Sequence, residues 1–287
     1  MTKIDVIMPT WNSNSAYFPE VIRRVCNFVD LHRLIVIDRF SNDGTLDVIK
    51  RIVPKNKLLM IESGCDLARA RYLGIQQVET PIFAFIDSDV LISAGWQRSM
   101  ERWMQNERVG AVSSPLCGGM RRRSLKRSRI IKSYKDLNPY EIIKNGLFQT
   151  TRGYTFATMI RTDLVTDWKP PANLSALEDF SLSQHIISKG FLWIEPPEPC
   201  CYHVKELRYG PGFNRYLKQG LWEGANARII GIKARHFLLE VCSRALGGTL
   251  NALVHQDPRS LLNNMFFRVG YLMGFLFPQK FRVWHRL

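Results

Sequence analysis

The 287 residues, 46% hydrophobic and 23% charged, are enough to bury a substantial core and exclude a disordered chain. Forty Lys and Arg against 25 Asp and Glu leave a formal net charge of +15, which favours an anionic partner: a nucleic acid, an anionic membrane or a phosphorylated ligand. The six cysteines (Cys26, Cys65, Cys117, Cys200, Cys201, Cys242) form no C-x-x-C pair, so they read as buried or free thiols in a reducing compartment.

Met1-Thr2-Lys3 runs straight into a strand pattern without the apolar stretch of a secretory signal, so the protein is expected in the cytosol or on the inner membrane face. Strand-like runs at Ile4–Met8, Leu34–Ile37, Leu58–Ile61 and Ile82–Ile86 alternate with helical patterns. The first helical stripe carries Phe18, Val21, Ile22, Val25 and Val29, and further patterns fit Leu46–Ile52 and Leu67–Gln77. Such alternation predicts an α/β fold with a mostly parallel, doubly wound sheet, which binds ligands beyond the carboxyl ends of its strands. Four segments should therefore converge on one crevice: Pro9-Thr10-Trp11-Asn12, Asp38-Arg39-Phe40-Ser41, Glu62-Ser63-Gly64-Cys65-Asp66 and Asp87-Ser88-Asp89. Turn formers are ordinary at strand ends, but acid groups in three of the four are a stronger signal than any one alone. Asp87 and Asp89 in particular offer hard oxygen ligands to Mg²⁺ or Mn²⁺ carrying a phosphorylated substrate, although a solvated turn would use the same residues.

Further along, a helix over Ala94–Gln105 should turn Trp96, Met100, Trp103 and Met104 inward, with short strands near Val109–Ser113 and Tyr154–Ile160. Between those strands, Arg121 to Arg129 holds six cations in nine residues, fitting either a solvated loop or a contact to lipid phosphate or an anionic acceptor. Ala176-Leu177-Glu178-Asp179-Phe180 opens a helix with Phe180, Leu182, Ile186 and Ile187 as apolar positions, and acids at a helix start complement its dipole whatever else they do.

Gly210-Pro211-Gly212 then punctuates the chain and helical patterns take over, which divides it into an α/β domain at 1–209 and a helical region at 210–287. Within Leu261–Phe277, Leu262, Phe266, Val269, Met273 and Phe277 line one face, while Asn264 and Arg268 mark a polar stripe. This is too polar to span a bilayer and suits a helix lying in the membrane interface, with Lys280, Arg282 and Arg286 beyond it; a second helical layer packed on the sheet domain is the alternative.

Five motifs in order, Ile-Met-Pro-Thr-Trp-Asn (7–12), Ile-Asp-Arg-Phe-Ser-Asn-Asp-Gly-Thr (37–45), Ala-Arg-Tyr-Leu-Gly-Ile (70–75), Phe-Ile-Asp-Ser-Asp (85–89) and Leu-Glu-Asp-Phe-Ser-Leu (177–182), resemble family-2 glycosyltransferases of GT-A fold, across roughly residues 4–205. The resemblance implies a nucleotide-sugar donor, UDP- or GDP-linked. Pro9 and Trp11 would lie at the base, Asp38 near base or ribose, Arg71 on the diphosphate, and Ser88 in the same donor site. Asp89 would be a direct ligand of Mn²⁺ or Mg²⁺, with Asp87 on the ribose or reaching the metal through water. His203 stands where relatives bring a third ligand, though a lone histidine also serves structure. Asp179 matches the catalytic base and Glu178 would bind or orient the acceptor. Arg39 replaces the family's second acid, Phe40 its glycine, and Tyr72 the usual asparagine, which leaves the base undecided.

The expected protein is thus an inverting, metal-dependent glycosyltransferase, peripheral on the cytoplasmic face of the cell membrane through its C-terminal helices, with a sugar or lipid-linked acceptor. A polyprenyl-phosphate glycosyl synthase is the alternative, the 121–129 run and the amphipathic C-terminus recruiting lipid phosphate. A basic nucleic-acid-binding protein would explain the charge but not the ordered acids at strand ends, so no nucleic-acid partner is expected.

Overall fold

The computed structural model describes residues 2–116, 148–150, 153–172, 174–199, 201–204, 213–231 and 258–281. The basic run at 121–129, Gly210-Pro211-Gly212, Arg282 and Arg286 lie outside them. The chain divides into two compact units, one of Met1–Cys65, Arg69–Lys169 and Asp179–Glu206, the other of Asp66–Ala68, Pro170–Glu178 and Leu207–Leu287.

In the first unit β1 (Ile4–Thr10), β2 (Leu31–Asp38), β3 (Leu58–Glu62) and β4 (Ile82–Ile86) are parallel, so their carboxyl ends share one edge. A short β5 (Val90–Leu91) comes next, then β6 (Val109–Ser113), β7 (Ala157–Arg161), β8 (Leu192–Ile194) and β9 (Tyr202–His203). The main sheet has the order β3-β2-β1-β4-β7-β6-β8, with β7 antiparallel to both neighbours, and β5 pairs with β9 in a separate ribbon. It is mostly parallel and flanked by helices, as the alternation predicts.

Strand periodicity explains the two layers. Val6, Met8, Leu34, Val36, Ala84 and Ile86 face one side, where α1 (Phe18–Phe28), α2 (Thr45–Ile52) and α4 (Trp96–Met104) bury Val21, Ile22, Ile49, Trp96 and Met100. Their alternating partners Ile7, Ile35, Ile37, Phe83 and Phe85 face the other, against Ala70 and Ile75 of α3 (Leu67–Ile75) and Leu182 and Ile186 of α5 (Glu178–Ser188). β1 and β2 run two residues and one residue past their expected apolar runs, because Thr10 pairs with Asp38 and donates its hydroxyl to that carboxylate, a polar pairing that hydropathy cannot register. β7 starts at Ala157 rather than at Tyr154, whose carbonyl instead accepts the hydroxyls of Ser113 and Thr158. Cys26, Cys65 and Cys201 are free thiols, and burial pushes Cys201 up to about 11, an unreactive state; Cys117, Cys200 and Cys242 lie outside the described residues.

The second unit contains α6 (Phe213–Ile229), α7 (Pro258–Leu276) and the short α8 (Pro278–Phe281). Helices α6 and α7 run parallel with their backbones touching. A Cβ on Gly220 or Gly224 would stand 2.0 Å from the carbonyl oxygens of Phe267 and Tyr271, and one on Gly270 or Gly274 would stand 2.2 Å and 2.0 Å from those of Leu217 and Leu221. Each helix thus presents a small-x-x-x-small face that no larger residue could replace. On α7, Leu262, Met265, Val269, Leu272, Met273 and Leu276 are between 39% and 55% exposed, including the positions expected on its apolar stripe. No helix among the described residues is long and apolar enough to cross a membrane.

Candidate active site

The carboxyl ends of β1 and β2 are tied by one buried acid. Asp38 accepts the Thr10 hydroxyl at 2.7 Å, the Ser41 backbone N–H at 2.7 Å and the Ser41 hydroxyl at 2.6 Å. It has no solvent exposure, and these three bonds turn it inward onto the loops it organises. Ser41 also accepts the N–H of Asn12 at 2.8 Å, and Asn12 accepts the N–H of Asn42 at 3.0 Å, closing the two loops on each other. Asp43 braces them from the side by accepting Thr45 and Asn14 backbone groups; burial pushes its carboxyl up, but these bonds and the Thr45 hydroxyl outweigh burial and hold it below the usual range.

Out of this brace the chain presents an aromatic and cationic rim. Trp11 is 44% exposed and Phe40 62%, and the Arg39 guanidinium lies 5.1 Å from the Trp11 ring centroid. Asn12 and Phe40 take φ of 44° and 51°, conformations side chains rarely adopt and that cluster at functional loops. Gly64 passes beneath Phe40, where a Cβ would come 3.1 Å from its ring. Pro9 lies beyond Ile7, the last β1 residue paired with β4, and is still paired with Ile37 of β2, two residues before Trp11.

Asp87 comes directly after β4 and is half-buried. Arg71, only 1% exposed, donates Nη2 to its Oδ1 at 2.9 Å and lays its guanidinium over the Phe85 ring at 4.9 Å, so α3 delivers a fixed cation to the strand end. Burial pushes the Asp87 carboxyl up, Arg71 opposes this, and the neighbouring Asp89 adds to it. Ser88 shares a 2.9 Å hydrogen bond with Ser13, joining the β4 turn to the β1 loop.

Asp89 and His203 come together from 114 positions apart, His203 Nε2 lying 2.8 Å from Asp89 Oδ2. The β5–β9 ribbon makes the meeting, since Val90 pairs with His203 and the Val204 N–H donates to the Asp89 carbonyl at 2.7 Å. Phe156 stacks on the imidazole at 6.2 Å and 11°, fixing its plane. Neither Phe156 nor Ser13 was expected here: an aromatic beside a strand reads as core, and a loop serine carries no signal of its own.

No group of three or more His, Cys, Asp and Glu stands assembled around one point among the described residues. The donors present nonetheless fit a divalent cation. Asp89 and His203 are joined by a hydrogen bond at 2.8 Å, and their carboxylate and imidazole are donor types that a divalent cation accepts in place of the shared proton. Two acids one residue apart supply like charge that a cation relieves, and an imidazole beside carboxylates suits Mn²⁺ better than Mg²⁺.

Glu178 is buried at the start of α5, and Asp179 accepts the adjacent Phe180 N–H at 2.7 Å. One turn on, Leu182 packs among Phe83 and Phe85 on the sheet face that α3 also covers.

The mostly parallel central sheet flanked by helices is the fold of GT-A glycosyltransferases. Residues 5–167 match the sequence profile of glycosyl transferase family 2, and the chain belongs to that family. No curated protein sequence matches it. Among solved structures, the mannosyltransferase PcManGT from Pyrobaculum calidifontis, in complex with GDP-Man and Mn²⁺, is similar with a TM-score of 0.66 and 16% identity, over 96% of this chain and 87% of that one. TarS of S. aureus (residues 1–349) gives a TM-score of 0.53 at 16% identity, over 94% of this chain and 90% of that one. Glucosyl-3-phosphoglycerate synthase from Mycobacterium tuberculosis, in complex with Mn²⁺, UDP and glucosyl-3-phosphoglycerate, gives 0.55 at 16%, over 80% and 81%. Identities this low establish a shared fold.

Proposed function

We propose that the chain moves a sugar from a UDP- or GDP-linked donor to an acceptor hydroxyl with inversion, using Mn²⁺ or Mg²⁺ held by Asp89 and His203 with Asp87 beside them. The observation that carries this is the pair of contacts at the end of β4, Arg71 on Asp87 and His203 on Asp89, in a family-2 chain. Solved relatives of the same fold bind GDP-Man or UDP together with Mn²⁺, which supports the donor class.

The residues divide the work by chemistry. Trp11 offers an exposed ring for the base, and Pro9, Asp38 and Ser88 order the loops around it. Arg71 faces the diphosphate with donors that match phosphate oxygens. A divalent cation, when bound, stabilises the charge that develops on the nucleoside diphosphate as the anomeric C–O bond breaks. Asp179 takes the proton from the acceptor hydroxyl as its oxygen attacks the anomeric carbon opposite the leaving group, and Glu178 orients that acceptor.

The exposed apolar face of α7 favours a membrane setting. We place the protein on the cytoplasmic face of the cell membrane, with that face in an anionic lipid surface and the net charge of +15 attracting it. The same face supports the second reading, a polyprenyl-phosphate acceptor; such a phosphate is already an anion, and Asp179 would then position it rather than deprotonate it. Extraction of the product into organic solvent separates the two readings.

Calorimetry with a panel of UDP- and GDP-sugars, with and without Mn²⁺, tests the proposal. One donor should bind in a metal-dependent way, and Asp89→Ala should remove that dependence; a wild-type chain that binds none sinks the reading. Asp179→Asn should keep donor affinity and lose transfer to a hydroxyl by about 10²- to 10⁴-fold. Loss of donor binding in that variant would instead remove Asp179 from the role of base.

A further inference from the structure

The segment that leads into Glu178 and Asp179 is held by a buried polar clasp on α6. Asn226 has no solvent exposure, and its side-chain oxygen accepts the Ser175 backbone N–H at 2.9 Å. Its amide nitrogen donates to the Trp222 carbonyl at 2.8 Å and to the Ser175 hydroxyl at 3.3 Å, while the Trp222 indole N–H donates to that same hydroxyl at 2.7 Å. One buried amide and one half-buried indole thus fix a half-buried serine. Apolar residues would pack a loop onto a helix without the desolvation cost, so the polar clasp points to a need for one defined register.

The residues on either side of Ser175 leave no slack. Leu174 is fully buried, and Ala176 and Leu177 are also buried. Leu177 is held at φ 63°, the left-handed region that a leucine adopts only when its surroundings over-determine it. The next residue is Glu178, the first of α5, and Asp179 is peptide-bonded to it. If the clasp is released, Leu177 can relax to negative φ, which redirects the chain entering α5 and displaces both carboxylates.

We propose that Ser175, Trp222 and Asn226 are positioning residues for glycosyl transfer, acting through the strained Leu177 to aim Glu178 and Asp179 at the acceptor. The proposal rests on the reading of Asp179 as base and Glu178 as acceptor ligand. It gives the C-terminal helix α6 a part in the chemical step, in addition to any part in membrane attachment.

The test compares Ser175→Ala, Asn226→Ala and the hydroxyl-retaining Ser175→Thr with the full-length wild type, measuring donor affinity by calorimetry with Mn²⁺, kcat and acceptor KM, and backbone hydrogen exchange. The donor residues Trp11, Arg71, Asp87, Asp89 and His203 make none of the clasp's hydrogen bonds, so donor affinity should not change. A misplacement near 1 Å at a reacting group can cost about 10²-fold, so kcat should fall roughly 10- to 100-fold in both alanine variants. Exchange should rise at Leu177 to Phe180 and stay unchanged in β1 to β4, and Ser175→Thr should recover most of the rate. Wild-type kcat in both alanine variants overturns the proposal, as does a parallel loss of donor affinity and of protection in β1 to β4, which would mark a general folding role. A wild type that binds donor and transfers sugar while the alanine variants do not slow separates failure of this inference from failure of the transferase reading, where wild-type donor binding itself is missing.

Discussion

Asp5 sits within β1 with no solvent exposure, and its carboxylate accepts the N–H groups of Glu79 at 2.7 Å and Thr80 at 3.3 Å, with His32 at 2.8 Å and Arg33 at 3.4 Å. Burial pushes its pKa up, but the bonds from Glu79, His32 and Arg33 and the Arg33 charge outweigh burial and leave it below the ordinary 3.8. A carboxylate whose folded value is depressed stabilises the fold above its unfolded value and loses that contribution as pH falls through the folded one. Asp5→Asn turns one acceptor into a donor facing N–H groups, and should cost about 3 kcal/mol near neutral pH. Thermal melts from about pH 2 to 6 should show a flatter acid limb in the variant, and an unchanged limb would remove Asp5 from that role. The site acids were legible in the sequence because Asp87 and Asp89 directly succeed a buried apolar run. Arg71 and His203 were reached only through the family resemblance: Arg71 meets Asp87 from a helix and His203 meets Asp89 from 114 positions away, and neither contact leaves a local pattern. Asp38 was found for its strand-end position, yet its contacts turn inward, which only the Thr10 and Ser41 geometry reveals.

At the scale of elements, α6 and α7 depend on the missing side chains of four glycines. In an isolated helix Gly→Ala is favourable by about 1 kcal/mol. Here a Cβ at Gly224 would stand 2.0 Å from the Tyr271 carbonyl oxygen, so the clash outweighs the gain and the helices must part. Gly224→Ala should therefore destabilise the pair by about 2 kcal/mol or more, read as faster hydrogen exchange across α6; slower exchange would show the backbones are not in contact. The exposed stripe of α7 was visible from apolar spacing. Its buried face was not, since Gly270 and Gly274 carry no hydropathy and leave only Asn264 and Arg268 to set off the other side. The strands read well for the opposite reason: β1, β2 and β4 each alternate between two apolar layers; β4 keeps its expected bounds, while β1 gains Pro9 and Thr10 and β2 gains Leu31 to Arg33 and Asp38.

At the scale of the molecule, a charge of +15 and an exposed apolar helix face lead to one behaviour. The protein should sediment with vesicles containing anionic lipid, less with neutral ones, and less still as salt rises. Val269→Asp with Met273→Asp, both at exposed positions, should weaken that binding without changing donor affinity. Deleting residues 259–287 should do the same to sedimentation, and unchanged partitioning in both would rule out α7 as the lipid contact.

The meeting of Asp89 with His203 also sets an order in time. A ribosome delivers β1 to β4, with Trp11, Arg71 and Asp87, well before the imidazole, which comes 114 residues after Asp89. At roughly 5–20 residues per second, the carboxylates wait about 6 to 23 s for it. A nascent chain can thus hold the carboxyl ends of β1 to β4 early, while the ribbon that seats His203 on Asp89 closes only when β9 has emerged. Premature release would leave a chain bearing both acids and no imidazole.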